Sequence, residues 1–379
     1  MLPVVLLLFN VVIQLHGSNF WKIVEQLPDE TQLMFEKHFY YDHDGRVYRI
    51  EGDRNPPDQP DAADVWLADN FVPDDDGRMY SLAGDFDYAP FFDAERDTVF
   101  RLYTRDSSDY EILRVNDTSS IIRSRFNVSH PTRFTIHGFG SNGDGLSSSL
   151  IRDQYFVLGE FNVVVVDWSG GSGLGMYLTS YFQVRRRVAA VGKVVSQLID
   201  TLVQATEISL NEISIVGFSL GAHIAGNAGK AQSGRIRTII GLDPARLLFS
   251  EQDSDILSSQ DAQYVEVLHT SSFGYPFPIG TSDFYANGGV FYQPGCFFEG
   301  YIGCSHSRAY FYYAESITSQ VGFWARKCAQ LTVNLFDVTC DGQNGTMARM
   351  GGEPPNTETD ACGSYQFETN SAAPFAKGR

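Results

Sequence analysis

Residues 213–223 read Ile213-Ser-Ile-Val-Gly-Phe-Ser-Leu-Gly-Ala-His223. A short apolar run, of strand length, ends in Gly217-Phe218-Ser219-Leu220-Gly221 and passes at Leu220 into helical texture. A Gly-x-Ser-x-Gly pattern by itself often arises by chance. Between a strand and a helix it gains a mechanical meaning. The sharp turn lifts the serine to the top of a sheet, and glycines flank it because the turn leaves no room for side chains. The helix that starts there points its positive end at the serine, where negative charge would develop.

The sequence around this turn repeats the same alternation. Residues 133–136 read as a strand running into His137-Gly-Phe-Gly140, and 162–166 (Asn-Val-Val-Val-Val) as a strand buried on both faces. Helical spacing runs from 184 to about 203. Further strands are read at 212–216, 238–242 and 264–268, and a helix at 308–317. Strand-helix-strand alternation predicts an α/β fold, a mostly parallel central sheet flanked by helices.

A serine hydroxyl is a poor nucleophile until a base takes its proton. On a sheet of this kind the partners follow in the order serine, acid, histidine. Asp243 directly follows the 238–242 strand and precedes Pro244, which places a carboxylate at the strand's C-terminal edge. Three histidines lie downstream of Ser219. His223 sits inside the elbow helix and reads as structural, and His269 ends a strand and reads as packed. His306 is read on a loop after Cys304 and before the 308–317 helix, where a cysteine tether can hold an imidazole over the serine. Ser219, Asp243 and His306 are therefore the catalytic candidates, with the backbone N–H groups of Leu220 and Phe139 as the oxyanion donors.

Composition narrows the setting. The chain has 379 residues, 43% hydrophobic and 20% charged, enough for one α/β domain and an appendage. Residues 1–17 carry an apolar run too short to span a bilayer, and are expected to be a signal peptide. Acceptor triplets at Asn116, Asn127 and Asn344 fit a secreted glycoprotein. The net charge of −18 excludes nucleic acid as a partner and disfavours anionic membrane surfaces. Between Asp42 and Asp97 stand 16 Asp or Glu against 5 Arg. That acidity, with Pro56-Pro57 and Asp74-Asp75-Asp76, marks residues 18–96 as an N-terminal extension, helical near 20–39 and irregular beyond; 97–379 is the catalytic domain.

The motifs resemble the pancreatic lipase family of neutral lipases and phospholipases A1, arthropod members above all. The pieces are Thr98-Val-Phe-Arg-Leu-Tyr-Thr104, Ile136-His-Gly-Phe139, Val166-Asp-Trp168, Gly217-Phe-Ser-Leu-Gly-Ala-His223, Gly241-Leu-Asp-Pro-Ala245, Asp283-Phe-Tyr-Ala-Asn-Gly-Gly289 and Cys304-Ser-His-Ser-Arg308. They run in the family's order across residues 98–325. The resemblance implies the α/β-hydrolase fold and gives Ser219, Asp243 and His306 the roles already assigned. Digestive members carry a C-terminal lipid-binding β-sandwich, and residues 307–379 are too few for one, so a catalytic domain alone is expected. The family's lid is a cysteine-closed loop before the catalytic histidine; here Cys296 and Cys304 enclose only Phe297–Gly303. The neighbouring loop, 271–279, is short as well, and this combination resembles phospholipases A1 and related lipases with an open site.

Five cysteines cluster after residue 295. Cys296–Cys304 and Cys328–Cys340 are the expected disulfides, with Cys362 left over. Some members bind structural calcium after the catalytic aspartate. Asp261 matches one carboxylate of that site, but Ser258 stands where another is common, and no metal or other cofactor is expected. Attraction to lipid must come from apolar side chains. Phe297, Phe298, Tyr301 and Ile302 of the lid, with Phe273, Tyr275, Phe277 and Ile279 of the neighbouring loop, are expected to form a rim making peripheral contact with a lipid surface. Two rival readings differ in class. One is a carboxylesterase for small soluble esters. The other is a non-catalytic lipid-binding, yolk-type protein, a fate of relatives that lose the serine, which is present here.

Overall fold

The computed structural model describes residues 92–379 except 108, 174–180, 290–292, 297–302, 334–337 and 356–360, together with four short strands nearer the N-terminus. Residues 1–17, most of 18–91 and the lid residues Phe297, Phe298, Tyr301 and Ile302 lie outside the described residues. The four short strands make two antiparallel hairpins. One joins β1 (Phe39–Tyr41) to β2 (Val47–Arg49), the other β3 (Phe71–Pro73) to β4 (Met79–Ser81).

The remaining strands are β5 (Val99–Tyr103), β6 (Glu111–Leu113), β7 (Thr132–Ile136), β8 (Asn162–Asp167), β9 (Ile213–Phe218), β10 (Thr238–Leu242), β11 (Tyr264–His269), β12 (Ser282–Ala286), β13 (Phe323–Val333), β14 (Val338–Met350) and β15 (Gly363–Phe367). They form one eleven-stranded sheet, in the order β14-β13-β15-β12-β11-β10-β9-β7-β8-β5-β6. From β8 across to β15 the neighbours are parallel. Antiparallel strands complete both edges.

The helices are α1 (Ala94–Asp97), α2 (Thr118–Ile122), α3 (Leu146–Leu158), α4 (Ser169–Ser172), α5 (Tyr181–Thr206), α6 (Leu220–Ala231) and α7 (Cys304–Thr318). They cover both faces, and β8 shows how. Val164 and Val166 join the apolar cluster that holds α5 and α6. Val163 and Val165 join the cluster that holds α3 and α7. A strand alternates its side chains between faces, so one covered on both sides must be apolar throughout.

The stripe Val184, Val188, Val191, Val195, Leu198 and Leu202 turns α5 onto the sheet; each residue is fully buried. Burying each such side chain contributes about 1.5–3 kcal/mol before conformational entropy is counted. Gly192 lets α5 approach α6, because a Cβ there would lie 2.4 Å from that of Asn227. Any side chain at 192 would force the helices apart.

The strands read from sequence are all present, with ends shifted by at most two residues. The packed domain reaches back before residue 97: Phe92 and Ala94 lie against the core beside α5. One element differs in kind. His306 is not on a loop, because α7 starts at Cys304 and carries it in the first turn. The Cys296–Cys304 disulfide anchors that first turn and lets the helix begin four residues earlier than its apolar pattern suggests. Cys328–Cys340 staples the long β13–β14 hairpin, and Cys362 is an exposed thiol.

Candidate active site

The elbow is strained as its sequence requires. Ser219 caps α6 with φ 56° and ψ −119°, a backbone state unfavourable for any residue with a Cβ. Its N–H donates to Leu242 O at 2.9 Å, tying the turn to the end of β10. A Cβ on Gly217 would lie 2.2 Å from Gly221 O, and one on Gly221 would lie 2.2 Å from Ile136 O. Both flanking glycines are therefore demanded by backbone contact.

Asp243 is the next residue along the sheet edge and is also left-handed, at φ 43°. Its N–H donates to Leu268 O of β11. The carboxylate is completely buried, which is tolerable only if it is well bonded. Oδ1 accepts from Thr270 N at 2.8 Å and Ser271 N at 3.2 Å. Oδ2 accepts from the Ser271 hydroxyl and lies 2.6 Å from His306 Nδ1. Gly274 closes the cradle, since a Cβ there would stand 2.3 Å from Asp243 Oδ1. A carboxylate surrounded by donors makes Nδ1 of a neutral His306 the protonated nitrogen and leaves Nε2 as the acceptor.

His306 is held by packing as well as by charge. Its ring lies 4.5 Å from that of Phe218, the residue before Ser219, and 6.1 Å edge-on from Phe273. The structure thus gathers Ser219, Asp243 and His306 at the C-terminal edges of β9 and β10, the active-site side of a parallel sheet.

The oxyanion candidates lie on the same edge. Leu220 opens α6, where N–H groups have no intrahelical acceptor. Phe139 follows β7, and its ring packs on Tyr181 at 5.3 Å. Gly140 N donates to Ser172 O, and the Ser172 hydroxyl to Ser141 O, so α4 fixes this loop. Arg101 supports the loop from below through Asp144, at 2.9 Å, and Asp167. Burial would raise the Asp167 carboxyl, but the hydrogen bond and charge of His137, with Ser169, hold it below the usual carboxylate range.

The other two downstream histidines are bonded at both ring nitrogens. His223 accepts from Leu257 N and reaches Ala245 O. His269 bridges Tyr275 O and Asp283 Oδ1. Tyr275 corrects one expectation: it is 4% exposed, and its N–H donates to Pro244 O. Its ring belongs to the core and cannot join a lipid-facing rim, whereas Phe273, Phe277 and Ile279 are half-buried. Asn116 and Asn127 are exposed, and Asn344 lies on β14. The loop around Asp261 does not fit a calcium ion, because Lys230 Nζ is already 2.6 Å from Asp261 Oδ2 and 2.6 Å from Ile256 O. Among the described residues no group of three His, Cys, Asp or Glu could hold a metal. Sequence reasoning missed Thr270 and Ser271. The available signal was their place, at the C-terminal end of the strand beside Asp243.

Residues 78–375 match the lipase family's sequence profile. Pancreatic triacylglycerol lipase of Mus musculus is 33% identical over 287 residues, 69% of this chain and 60% of its own. Pancreatic lipase-related protein 2 of Cavia porcellus is 35% identical, covering 61% and 54%. Inactive pancreatic lipase-related protein 1 of Mus musculus is 36% identical, covering 61% and 53%. This chain therefore spans a little over half the length of these relatives. A profile match over most of the chain, on an eleven-stranded, mainly parallel sheet with a strained serine elbow, makes this chain a member of the pancreatic lipase family with the α/β-hydrolase fold.

Proposed function

We propose that this chain is a secreted serine esterase that hydrolyses acyl esters of lipids, as a phospholipase A1 or a short-lidded neutral lipase. The observation that carries the reading is the 2.6 Å pairing of His306 Nδ1 with buried Asp243, one strand from the Ser219 elbow. His306 Nε2 takes the Ser219 proton as Oγ attacks the ester carbonyl. The N–H groups of Leu220 and Phe139 hold the oxyanion. Imidazolium then protonates the leaving alcohol, and the acyl group remains on Ser219 until water, deprotonated by the same nitrogen, releases it. Asp243 fixes the tautomer and stabilises the imidazolium without taking the proton.

The finer substrate class is supported by the eight-residue spacing of the Cys296–Cys304 bridge, which leaves room for only a short lid. Two disulfides favour an oxidising compartment, which supports secretion. We assign peripheral lipid contact to the lid aromatics with Phe273 and Phe277. One relative carries the word inactive in its name, so activity must be measured directly. The test compares wild-type and Ser219→Ala protein on phospholipid vesicles, emulsified triacylglycerol and soluble p-nitrophenyl butyrate. The reading expects wild type to cleave a lipid ester in preference to the soluble one, and Ser219→Ala to cleave none. Ser219→Ala retaining more than a few per cent of activity removes the nucleophile; activity confined to p-nitrophenyl butyrate makes the protein a carboxylesterase.

A further inference from the structure

The cradle of Asp243 and the helix of His306 are separate stretches of chain, yet their spacing must be fixed to fractions of an ångström. Thr270, whose N–H holds Asp243, accepts Gln293 Nε2 on its own carbonyl at 3.0 Å. The second Nε2 hydrogen goes to Ala286 O, at the end of β12, at 2.7 Å. Gln293 Oε1 accepts from Asn287 Nδ2 at 2.8 Å and from the Tyr312 hydroxyl at 3.1 Å. An amide has two donor hydrogens and two acceptor lone pairs, and here all four are used. Gln293 is 1% exposed.

The acceptor side closes on itself. Asn287 Nδ2 also donates to Thr369 Oγ1 at 2.9 Å, and Thr369 Oγ1 donates to the Tyr312 hydroxyl at 3.1 Å. The result is a four-membered hydrogen-bonded ring of Gln293, Asn287, Thr369 and Tyr312. Burial pushes the Tyr312 phenol up to about 12, so it stays a donor at any working pH. Tyr312 stands on α7, the helix of His306. The Gln293 main chain reaches the same helix: its N–H donates to Ser305 Oγ at 3.0 Å, one residue before His306. Its carbonyl accepts from Cys296, which is bonded covalently to the first residue of α7. A fully satisfied buried polar network rigidifies what it joins, while a partly satisfied one is costly.

We propose that Gln293 is a positioning residue that locks the Asp243 cradle to the first turn of α7 and so sets the Asp243–His306 alignment. The inference rests on the catalytic roles proposed above. A misplacement of about 1 Å costs on the order of 10²-fold in rate. In Gln293→Met, which keeps the bulk and removes the four side-chain bonds, kcat on p-nitrophenyl butyrate should fall about 10- to 100-fold per folded molecule, with KM within twofold. The downfield proton resonance of the His306–Asp243 hydrogen bond should shift or broaden. Tyr312→Phe, which removes one ring oxygen, should lower kcat about threefold and leave KM alone. It decides the matter if Gln293→Met does not fold. Ser219→Ala is measured beside them. If Ser219→Ala is inactive while Gln293→Met or, failing that, Tyr312→Phe keeps wild-type kcat and resonance, positioning by Gln293 is overturned and the catalytic reading stands. A loss confined to KM overturns it equally. An active Ser219→Ala overturns both.

Discussion

Two buried histidine–aspartate pairs meet at β11, since Thr270, which donates to Asp243, directly follows His269. His306 meets Asp243 at 2.6 Å, and His269 meets Asp283 at 3.0 Å. All four side chains are at most 1% exposed, so burial and ion pairing do not separate them. What differs is the far side of each ring. His269 spends Nδ1 on Tyr275 O and Nε2 on Asp283, and it stacks on Tyr285 at 4.3 Å. His306 spends Nδ1 on Asp243, and among the described residues its Nε2 makes no hydrogen bond. One pair uses its whole hydrogen-bonding capacity to hold the 271–279 loop in place. The other leaves Nε2 without a partner among the described residues, on a ring packed against Phe218, the residue before the strained Ser219.

The sharpest way to break this comparison is to truncate both. His306→Ala should lose on the order of 10⁶-fold in kcat, as triad members act as a unit. It should stay folded, since Asp243 keeps three donors from Thr270 and Ser271. His269→Ala should do the reverse. Removing one partner of a buried pair costs about 3–5 kcal/mol, while activity per folded molecule falls far less. Initial rates and thermal melting on the two variants check this. Comparable kinetic losses in both would merge the two pairs into one machine.

The difference was only partly legible beforehand. That Ser219 and Asp243 end neighbouring strands could be read because a strand-elbow-helix and a strand-end acid are local patterns. The first-turn position of His306 could not, because it depends on a covalent tether at Cys304 and not on apolar spacing. The burial of Tyr275 was hidden for a similar reason. Its run of aromatics reads as an exposed rim, yet Pro244 and His269 hold its backbone, 31 and 6 residues away in sequence. The Gln293 ring joins residues from 287 to 369 and has no local signature at all. The edge strands β13 and β14 were missed because a register shift between Arg326 and Cys328 breaks the two-residue period along β13.

His223 extends the contrast to pH. Complete burial lowers its pKa from 6.5 to about 4, although its bond to Ala245 O opposes the shift. A depressed folded-state pKa contributes stability that is present above pH 6.5 and lost as pH falls towards 4. The contribution is of order 3 kcal/mol at neutral pH. Protonation would also take from Nδ1 the lone pair that accepts Leu257 N. Melting curves from pH 8 to 4 should show wild type losing stability through that window. His223→Gln should be less stable at pH 7 but flatter below it. Parallel curves would mean that His223 is not the group titrating.

Ser271 probes the catalytic side with a smaller change. Its hydroxyl donates to Asp243 Oδ2, the same oxygen that faces His306 Nδ1. Ser271→Ala removes one charge-assisted bond of about 1.5–3 kcal/mol and leaves two backbone donors on Oδ1. With Oδ2 freed of its second donor, the carboxylate can rotate away from the imidazole. The expected loss is about tenfold in kcat, with KM unchanged. Steady-state kinetics on a soluble ester measure it. A change in KM alone would place Ser271 in substrate binding and not in the support of Asp243.

The smallest effect belongs to the structural pair and completes the contrast. Tyr285 stacks on His269 and donates its hydroxyl to Pro276 O at 2.9 Å, in the middle of the loop that the pair secures. Tyr285→Phe keeps the ring and its stacking but deletes the donor. A typical buried hydrogen bond contributes about 0.5–1.5 kcal/mol, and Pro276 O is then left without that partner. Melting should therefore drop by about 2–4 °C for each kcal/mol lost in a domain of this size. The rate per folded molecule should be unchanged, because nothing on the Asp243 side of the loop depends on that hydroxyl. Paired melting and kinetic measurements decide it. A kinetic loss exceeding that of Ser271→Ala would mean that loop placement, and not the free nitrogen of His306, sets the difference between the two histidines.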